Sequence, residues 1–516
     1  MRWLLILGVV CVGFTLFADG EGDKTDEYLT EGAKVDKKRV KEAVKRAVEW
    51  LKSQQKEDGH WEGTGTYMEM YPFGTTALAV YALLKGGVPP NDPCIQKALK
   101  WLKKGGFPGT YSVSCLVLAL AALCEPPPPE KEVEKVKVKQ LKRLRTRVFE
   151  PVEKRIRKRF RRAPRWIQDW LRQAVNWLIK AKTRTVWRYP GKDPGEIRCK
   201  KGTGIGGGED ASNAQYAMLA MFAALRLGIP VPKQLFIDVA EYYIKQQDKD
   251  GAEVKGFPVP GADLPLKRLK KMIEEQLKRL KEEARKTIDA SEEGRKELIR
   301  RLKTSAVLKE NPYKKFGGEV KKMKARGWCY LPREFPKGGN VPDDMFRTTG
   351  SMTTSGIIAL CVCKLALEGT PWYKVNGKRL EQAIRDGVAW LAHNWTLDKN
   401  PNSGPGDAWR YYYFYGVERV GALALVRKIG KHLWYEEIAN HILSEQQSDG
   451  SWAGERGQSP KANVLPFEHG PLWNTCFAIL ILKRATPPIV GGKDTDLAVT
   501  GKGIFGPRKE PKKERR

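Results

Sequence analysis

One apolar helical run in this chain carries groups that could do acid–base or binding chemistry. Tyr411, Tyr415 and Glu418 recur at helical spacing and share a face, with Arg419 adjacent. A Tyr beside a carboxylate can exchange protons with a substrate or hold a polar ligand. A Glu-Arg step amid Val417, Val420 and Ala422 is costly to bury unless paired. An ion pair from Glu418 or Arg419 to a neighbouring helix, such as to Asp210, is therefore the structural alternative. A second polar run, Asp210 to Gln215, opens another apolar stretch after Gly206-Gly207-Gly208. Asp210 suits a helix N-cap. Asn213 and Gln215 lie inside the helix, where capping does not explain them. Polar residues recur at the starts of other apolar runs: Thr75 and Thr76, Ser112 and Ser114, Ser351, Thr353 and Thr354, Asn474 and Thr475. The candidate ligand-binding set is Asp210, Asn213, Gln215, Thr353, Tyr411, Tyr415, Glu418, Arg419 and Asn474. Asp210, Tyr411 and Glu418 are the candidates for proton transfer. His60, His393, His432 and His441 have no visible partner in sequence, so no metal site and no cofactor are expected.

The elements that must position these groups form a repeat. An aromatic or aliphatic residue is followed by Gln and an Asp-Gly turn in Trp50…Gln54…Asp58-Gly59-His60-Trp61 and in Ile442…Gln446…Asp449-Gly450-Ser451-Trp452. A middle copy, Tyr242…Gln246…Asp250-Gly251, lacks its closing Trp at that spacing. Each copy ends an amphipathic helix and leads to a more apolar one. Weaker helix ends of the same kind stand at Trp101-Leu102, Trp177-Leu178 and Trp390-Leu391. The apolar partners fall near 74–84, 110–124, 210–227, 349–367, 410–427 and 472–482. No single pair can bury its own apolar face, so the pairs must stack. The expectation is an all-α, (α/α)6 toroid of six helix pairs in two concentric rings, apolar helices inside, spanning 40–485. An open solenoid of helical hairpins is the alternative.

The spacing of aromatic residue, Gln, Gly and Trp resembles the QW motif of squalene and other terpene cyclases. The wider group is the terpene cyclase/protein prenyltransferase α/α-toroid superfamily, and the resemblance covers about 40–125 and 167–485. The runs Asp210–Gln215 and Tyr411–Arg419 also resemble those of secreted planctomycete proteins with this repeat. The resemblance implies a ligand in the central cavity, and one toroid hosts unrelated chemistries. It also exposes what is missing. No DxDD acid is present; Asp343-Asp344 is the nearest pair, and Asp494-x-Asp496 lies beyond the last helix. Asn474 stands where the zinc-binding His of a prenyltransferase would fall, and no Asp-x-Cys pair precedes it. No Cys-Gly-Glu-Gln thioester occurs. The expected function is a repeat protein binding a small molecule or lipid in its ring without cyclase or zinc chemistry. The alternatives are an enzyme acting on an isoprenoid, a polysaccharide lyase-like enzyme and an envelope scaffold.

Residues 1–18 read as an export signal: Arg2, an apolar stretch from Trp3 to Phe17, then Ala18. The expected location is periplasmic or extracellular, possible envelope association included, with 19–39 as a linker and 486–516 as a basic tail. Eight cysteines follow the signal; four lie within apolar helices, and a Cys199–Cys329 disulfide is conceivable. The net charge of +33 concentrates in two insertions, 125–166 and 261–326. From Glu130 to Trp166, 16 Lys/Arg face 5 Asp/Glu; from Gly261 to Arg326 the ratio is 21 to 11. Leu269, Met272, Ile273, Leu277 and Leu280 give the second insertion an amphipathic helix. Such basic helices can bind anionic membrane or polysaccharide, and they can equally be solvated faces. Nucleic acid is disfavoured, since no binding motif is present.

Overall fold

The computed structural model describes residues 34–64, 71–188, 209–305, 312–316, 320–335, 343–403, 409–456 and 468–490. Amphipathic α1 (Lys37–Ser53) leads to apolar α2 (Pro72–Gly86), and α3 (Pro93–Leu102) to α4 (Thr110–Leu123). The first insertion supplies α5 (Pro129–Lys135), α6 (Leu141–Arg147) and α7 (Val152–Arg162). The alternation resumes with α8 (Arg165–Ala181), α9 (Ala211–Leu227) and α10 (Lys233–Gln246). The second insertion holds α11 (Pro260–Asp263), α12 (Leu266–Thr287), α13 (Glu292–Ser305) and α14 (Pro312–Phe316). Apolar α15 (Gly350–Leu367), then α16 (Pro371–His393), α17 (Arg410–Leu423), α18 (Trp434–Ser444) and α19 (Pro471–Leu482) complete the described helices. Two-residue strands pair at 253–254 with 323–324 and at 455–456 with 468–469.

The apolar helices α2, α4, α9, α15, α17 and α19 touch in that order, and α19 returns to α2. This is a closed inner ring. The amphipathic helices lie outside it, and the outer ring closes where Arg39 of α1 donates to Leu443 O of α18 at 2.9 Å. The expected toroid is therefore the fold. Inner helices have no polar face because they have no solvent face: every residue of α17 from Tyr411 to Leu423 is buried. α15 is long and apolar enough to cross a membrane, yet 94% of it is buried in the ring.

The repeat's Trp is a clasp. Nε1 of Trp61, Trp187, Trp328 and Trp452 donates to the carbonyls of Leu51, Leu178, Tyr243 and Ile442, at 2.6–2.8 Å. Each bond satisfies an orphan carbonyl at the end of an outer helix. Trp328 corrects the sequence reading: the middle copy kept its Trp, and the second insertion separates it from its Asp-Gly turn. The register of Gln is corrected too. Gln55, not Gln54, donates to Gly59 O and to Cys94 O of the next outer helix, both at 2.9 Å. Gln446 does the same to Gly450 O and Ala43 O, and Gln247, not Gln246, to Arg326 O and Ala383 O. Each amide thus ties one outer helix to its neighbour. Gly59 serves twice, with φ +104° and no room for a Cβ, which would stand 2.8 Å from the Lys97 backbone of α3.

Both insertions cover the C-terminal ends of inner helices. Arg157 of α7 donates to Leu225 O and Arg226 O at the end of α9, each at 3.2 Å. Buried Lys364 of α15 donates to Ala262 O and Leu264 O, and Glu368 accepts from the backbone of Leu266 and Lys267. The insertions also hold each other, through Arg145 to Ile288 O and Arg295 to Val136 O. The expectation of a tail from 486 is corrected at its start: Thr486, Ile489 and Val490 are buried in the fold.

Candidate functional site

Because each inner helix is followed by a return through the outer layer, the inner helices pass through the ring in one direction and their first turns share one end. The structure splits the predicted site residues into three groups there.

The first group is architectural. Thr353 Oγ1 accepts the backbone N–H of Trp328 at 3.3 Å, as Thr76 does for Trp61 and Thr475 for Trp452. This is the repeat's second joint, and capping has no part in it. Asp210 caps α9: Oδ1 accepts from Asn213 N at 2.8 Å and Ser212 Oγ at 2.7 Å, while Oδ2 accepts from Tyr330 OH. Burial pushes its carboxyl above the usual range, although these donors pull it down. Among the described residues no ion pair joins Arg419 to Asp210.

The second group corrects the expectation that Tyr411 and Glu418 converge on one ligand. Tyr411 OH donates to Glu445 of α18 at 2.7 Å, where Arg410 and His441 also reach that carboxylate, at 3.0 and 3.3 Å. Burial alone would raise Glu445, but His441, Tyr411 and Arg410 outweigh it and hold it down at about 2. A carboxylate so fixed is no general acid at neutral pH. Glu418 accepts from Thr486 N at 2.9 Å and Thr486 Oγ1 at 2.7 Å, anchoring the segment after α19.

The third group faces the interior and is short of partners. Tyr412 OH, reaching across from α17, donates to Gln215 Oε1 of α9, and Gln215 Nε2 has no partner. Asn213 makes no side-chain hydrogen bond of good geometry, with the Asp210 carboxylate as its polar neighbour, and Asn474, whose Nδ2 donates to Ala453 O at 2.6 Å, lacks a partner at Oδ1. Arg419 is wholly buried and has no carboxylate partner; Nε, Nη1 and Nη2 make no hydrogen bond of good geometry, and the Tyr415 and Tyr216 hydroxyls are their polar neighbours. Its guanidinium lies 3.6 Å from the Tyr415 ring centroid and 4.7 Å from that of Tyr216. Burial raises both phenols, so neither is a phenolate counter-ion near neutral pH. An aromatic wall continues around this cation. Tyr216 stacks with Tyr412 and meets Tyr111 edge-on; Tyr111 stacks on Trp473, and Tyr415 packs on Phe477.

Sequence reasoning missed Tyr216, Tyr412, Trp473 and Phe477, although aromatic residues on helices otherwise built from Ala, Leu and Met were the available signal. Toward the other end, a cavity of about 30 Å³ is bounded by Tyr81, Tyr415, Leu219, Glu125, Thr486 and Pro487. It has room for about two or three waters. Among the described residues no three His, Cys, Asp or Glu are placed to hold a metal ion. His60 bridges Asp58 and Glu62, and His432 meets Glu437. The side chains of Asp343, Asp344 and His469, and all of Cys199, Asp494 and residues 1–33, lie outside the described residues.

Residues 16–108 match the family model of the squalene-hopene cyclase C-terminal domain. The chain has an α/α-toroid fold, closed by its inner helices. No curated protein matches it. Among solved structures it is similar to the type II terpene cyclase MstE from Scytonema in its apo form, at 11% identity and TM-score 0.41, covering 87% of this chain and 99% of that one. Complexes of variants of that enzyme with the substrate geranylgeranyl dihydroxybenzoate (TM-score 0.41) and the product merosterolic acid A (TM-score 0.39) are similar at 11% identity, each covering 87% of this chain and 97% of that one. Scores this low add no argument to the fold, which the closed rings establish directly.

Proposed function

We propose that this chain is an exported, cyclase-like toroid that binds a ligand in its ring without protonation-initiated cyclisation or zinc chemistry. The observation that carries this reading is Arg419, a fully buried guanidinium with no carboxylate partner, enclosed by the rings and phenols of Tyr415 and Tyr216. An uncompensated buried charge is expensive, and a fold retains one where something else supplies the partner. The ligand on this reading brings acceptor atoms to Arg419 and to the free amide of Gln215. It is small, or presents a small polar end, and its entry requires the side chains around Arg419 to part.

The same cation disfavours a carbocation route. Aromatic faces that would stabilise a cationic intermediate already hold the guanidinium. The aromatic wall does favour a second reading, an enzyme on an isoprenoid, with the prenyl chain along Tyr111, Tyr216 and Trp473. One experiment separates them: native mass spectrometry of the protein from its own host's envelope, with identification of what stays bound, beside an Arg419→Met variant. An acceptor-bearing ligand retained by the parent and lost from the variant supports the proposal. A prenyl compound retained equally by both supports the second reading. A parent that is always empty removes tight binding.

A further inference from the structure

The first insertion does more than cover the ring. Of its 16 Lys and Arg between Glu130 and Trp166, 14 are exposed, and Glu134 is the single exposed acid. Its other acids are turned inward or to the sides: Glu132 holds buried Arg155 at 2.9 Å, and Glu150 holds Lys158 at 2.8 Å. Ile156 and Phe160 bury the apolar side of α7, which leaves Lys154, Arg161 and Arg162 facing solvent. The second insertion has no such bias. On α12 the exposed bases alternate with exposed Glu274, Glu275, Glu282 and Glu283. A face that is merely solvated mixes the signs, because like charges repel; a single-sign face attracts an opposite field. At the margin of the cationic face stands Trp166, 39% exposed, with Lys103 5.3 Å over its ring.

We propose that the exposed face of α7 docks the protein on an anionic lipid bilayer, with Trp166 at headgroup level. A bilayer is recognised by charge and area, with neither a groove nor a row of rings to stack sugars. The face supplies a row of cations along α7 and one nearby indole, the side chain suited to a membrane interface. The apolar side of α7 is already spent on the ring, so docking is peripheral, electrostatic and reversed by salt. It is independent of what the ring binds.

The test is co-sedimentation of the full chain with phosphatidylcholine vesicles, with and without phosphatidylglycerol, at low salt and at about 0.5 M. A triple variant, Lys154→Glu with Arg161→Glu and Arg162→Glu, is compared with Lys271→Glu, Lys278→Glu and Lys286→Glu on α12, which change the net charge equally. At about 1 kcal/mol per basic residue lost, with repulsion from the new acids added, the first triple lowers partitioning by more than roughly 100-fold and the second by less than about tenfold. Binding to anionic vesicles alone, lost at high salt and in the first triple, is the expected result. Matching thermal unfolding of both triples excludes misfolding. Equal loss in the two triples reduces the effect to net charge and overturns the proposal. So does equal binding to neutral vesicles, or absence of vesicle binding, with or without capture by an anionic polysaccharide such as heparin.

Discussion

Arg419→Met separates a functional cation from a structural one. The guanidinium gains from two ring contacts, each about 2 kcal/mol when desolvated. Against this stand buried donor nitrogens whose polar neighbours are two neutral phenols, so that well-formed bonds worth roughly 1–3 kcal/mol each are missing. Desolvation of the charge itself adds several kcal/mol that no carboxylate repays. Met is close in length, fills the same slot and keeps a favourable sulfur–aromatic contact. Protein stripped of ligand should therefore become more stable by about 1–4 kcal/mol. About 400 described residues at ~2.1 cal/mol/K each give an unfolding entropy near 0.8 kcal/mol/K, so Tm should rise by about 1–5 °C. The assay is scanning calorimetry of ligand-stripped parent and variant. A fall in stability of more than about 2 kcal/mol would refute the reasoning, because it would mean the guanidinium is already well paired in the empty ring.

Other perturbations test the joints and the electrostatics. Gln55→Ala should cost about 1–3 kcal/mol, since Gly59 O and Cys94 O lose their donor, while Gln54→Ala should stay within about 0.5 kcal/mol; chemical denaturation distinguishes them. Glu418→Gln weakens two charge-assisted bonds to Thr486 at about 1.5–3 kcal/mol in all, so hydrogen exchange after Leu482 should quicken while ligand retention is unchanged. Glu445 is held at about 2 in the folded state against an ordinary value of 4.5. A lowered carboxyl stabilises above its unfolded value and loses that contribution as pH falls, so Glu445→Gln should flatten the acid limb of stability between about pH 4.5 and 2. An unchanged limb by far-UV circular dichroism would remove Glu445 from that role.

Much of the fold was legible because a repeat is a statement about packing. Helix ends at Trp50, Trp177 and Ile442, each followed by an all-apolar run, require two layers, and six such runs close a ring. The wall of that ring was already written in α17, whose polar residues sit in a helix with no solvent face. Local sequence could not choose between Gln54 and Gln55, adjacent and chemically identical; the choice is made by which amide reaches Cys94 O on the next outer helix. Nor could it find the Trp of the middle copy, because Trp328 is separated from Gly251 by an entire insertion and returns to Tyr243 through space.

Partnership was likewise beyond the sequence. Tyr411 and Glu418 share a helix face by spacing, yet one bonds Glu445 on the outer ring and the other holds Thr486, a residue expected in a tail. Arg419, adjacent to Glu418 in the chain, has no carboxylate partner and is enclosed by rings from α9 and its own helix. Residue types and periodicity determined the helices, their two layers and the polar character of the inner-helix starts, since these depend on local propensity and on which side chains avoid water. Only the tertiary structure decided which buried polar groups are satisfied and which are left open, since hydrogen bonding depends on ångström distances between residues hundreds of positions apart.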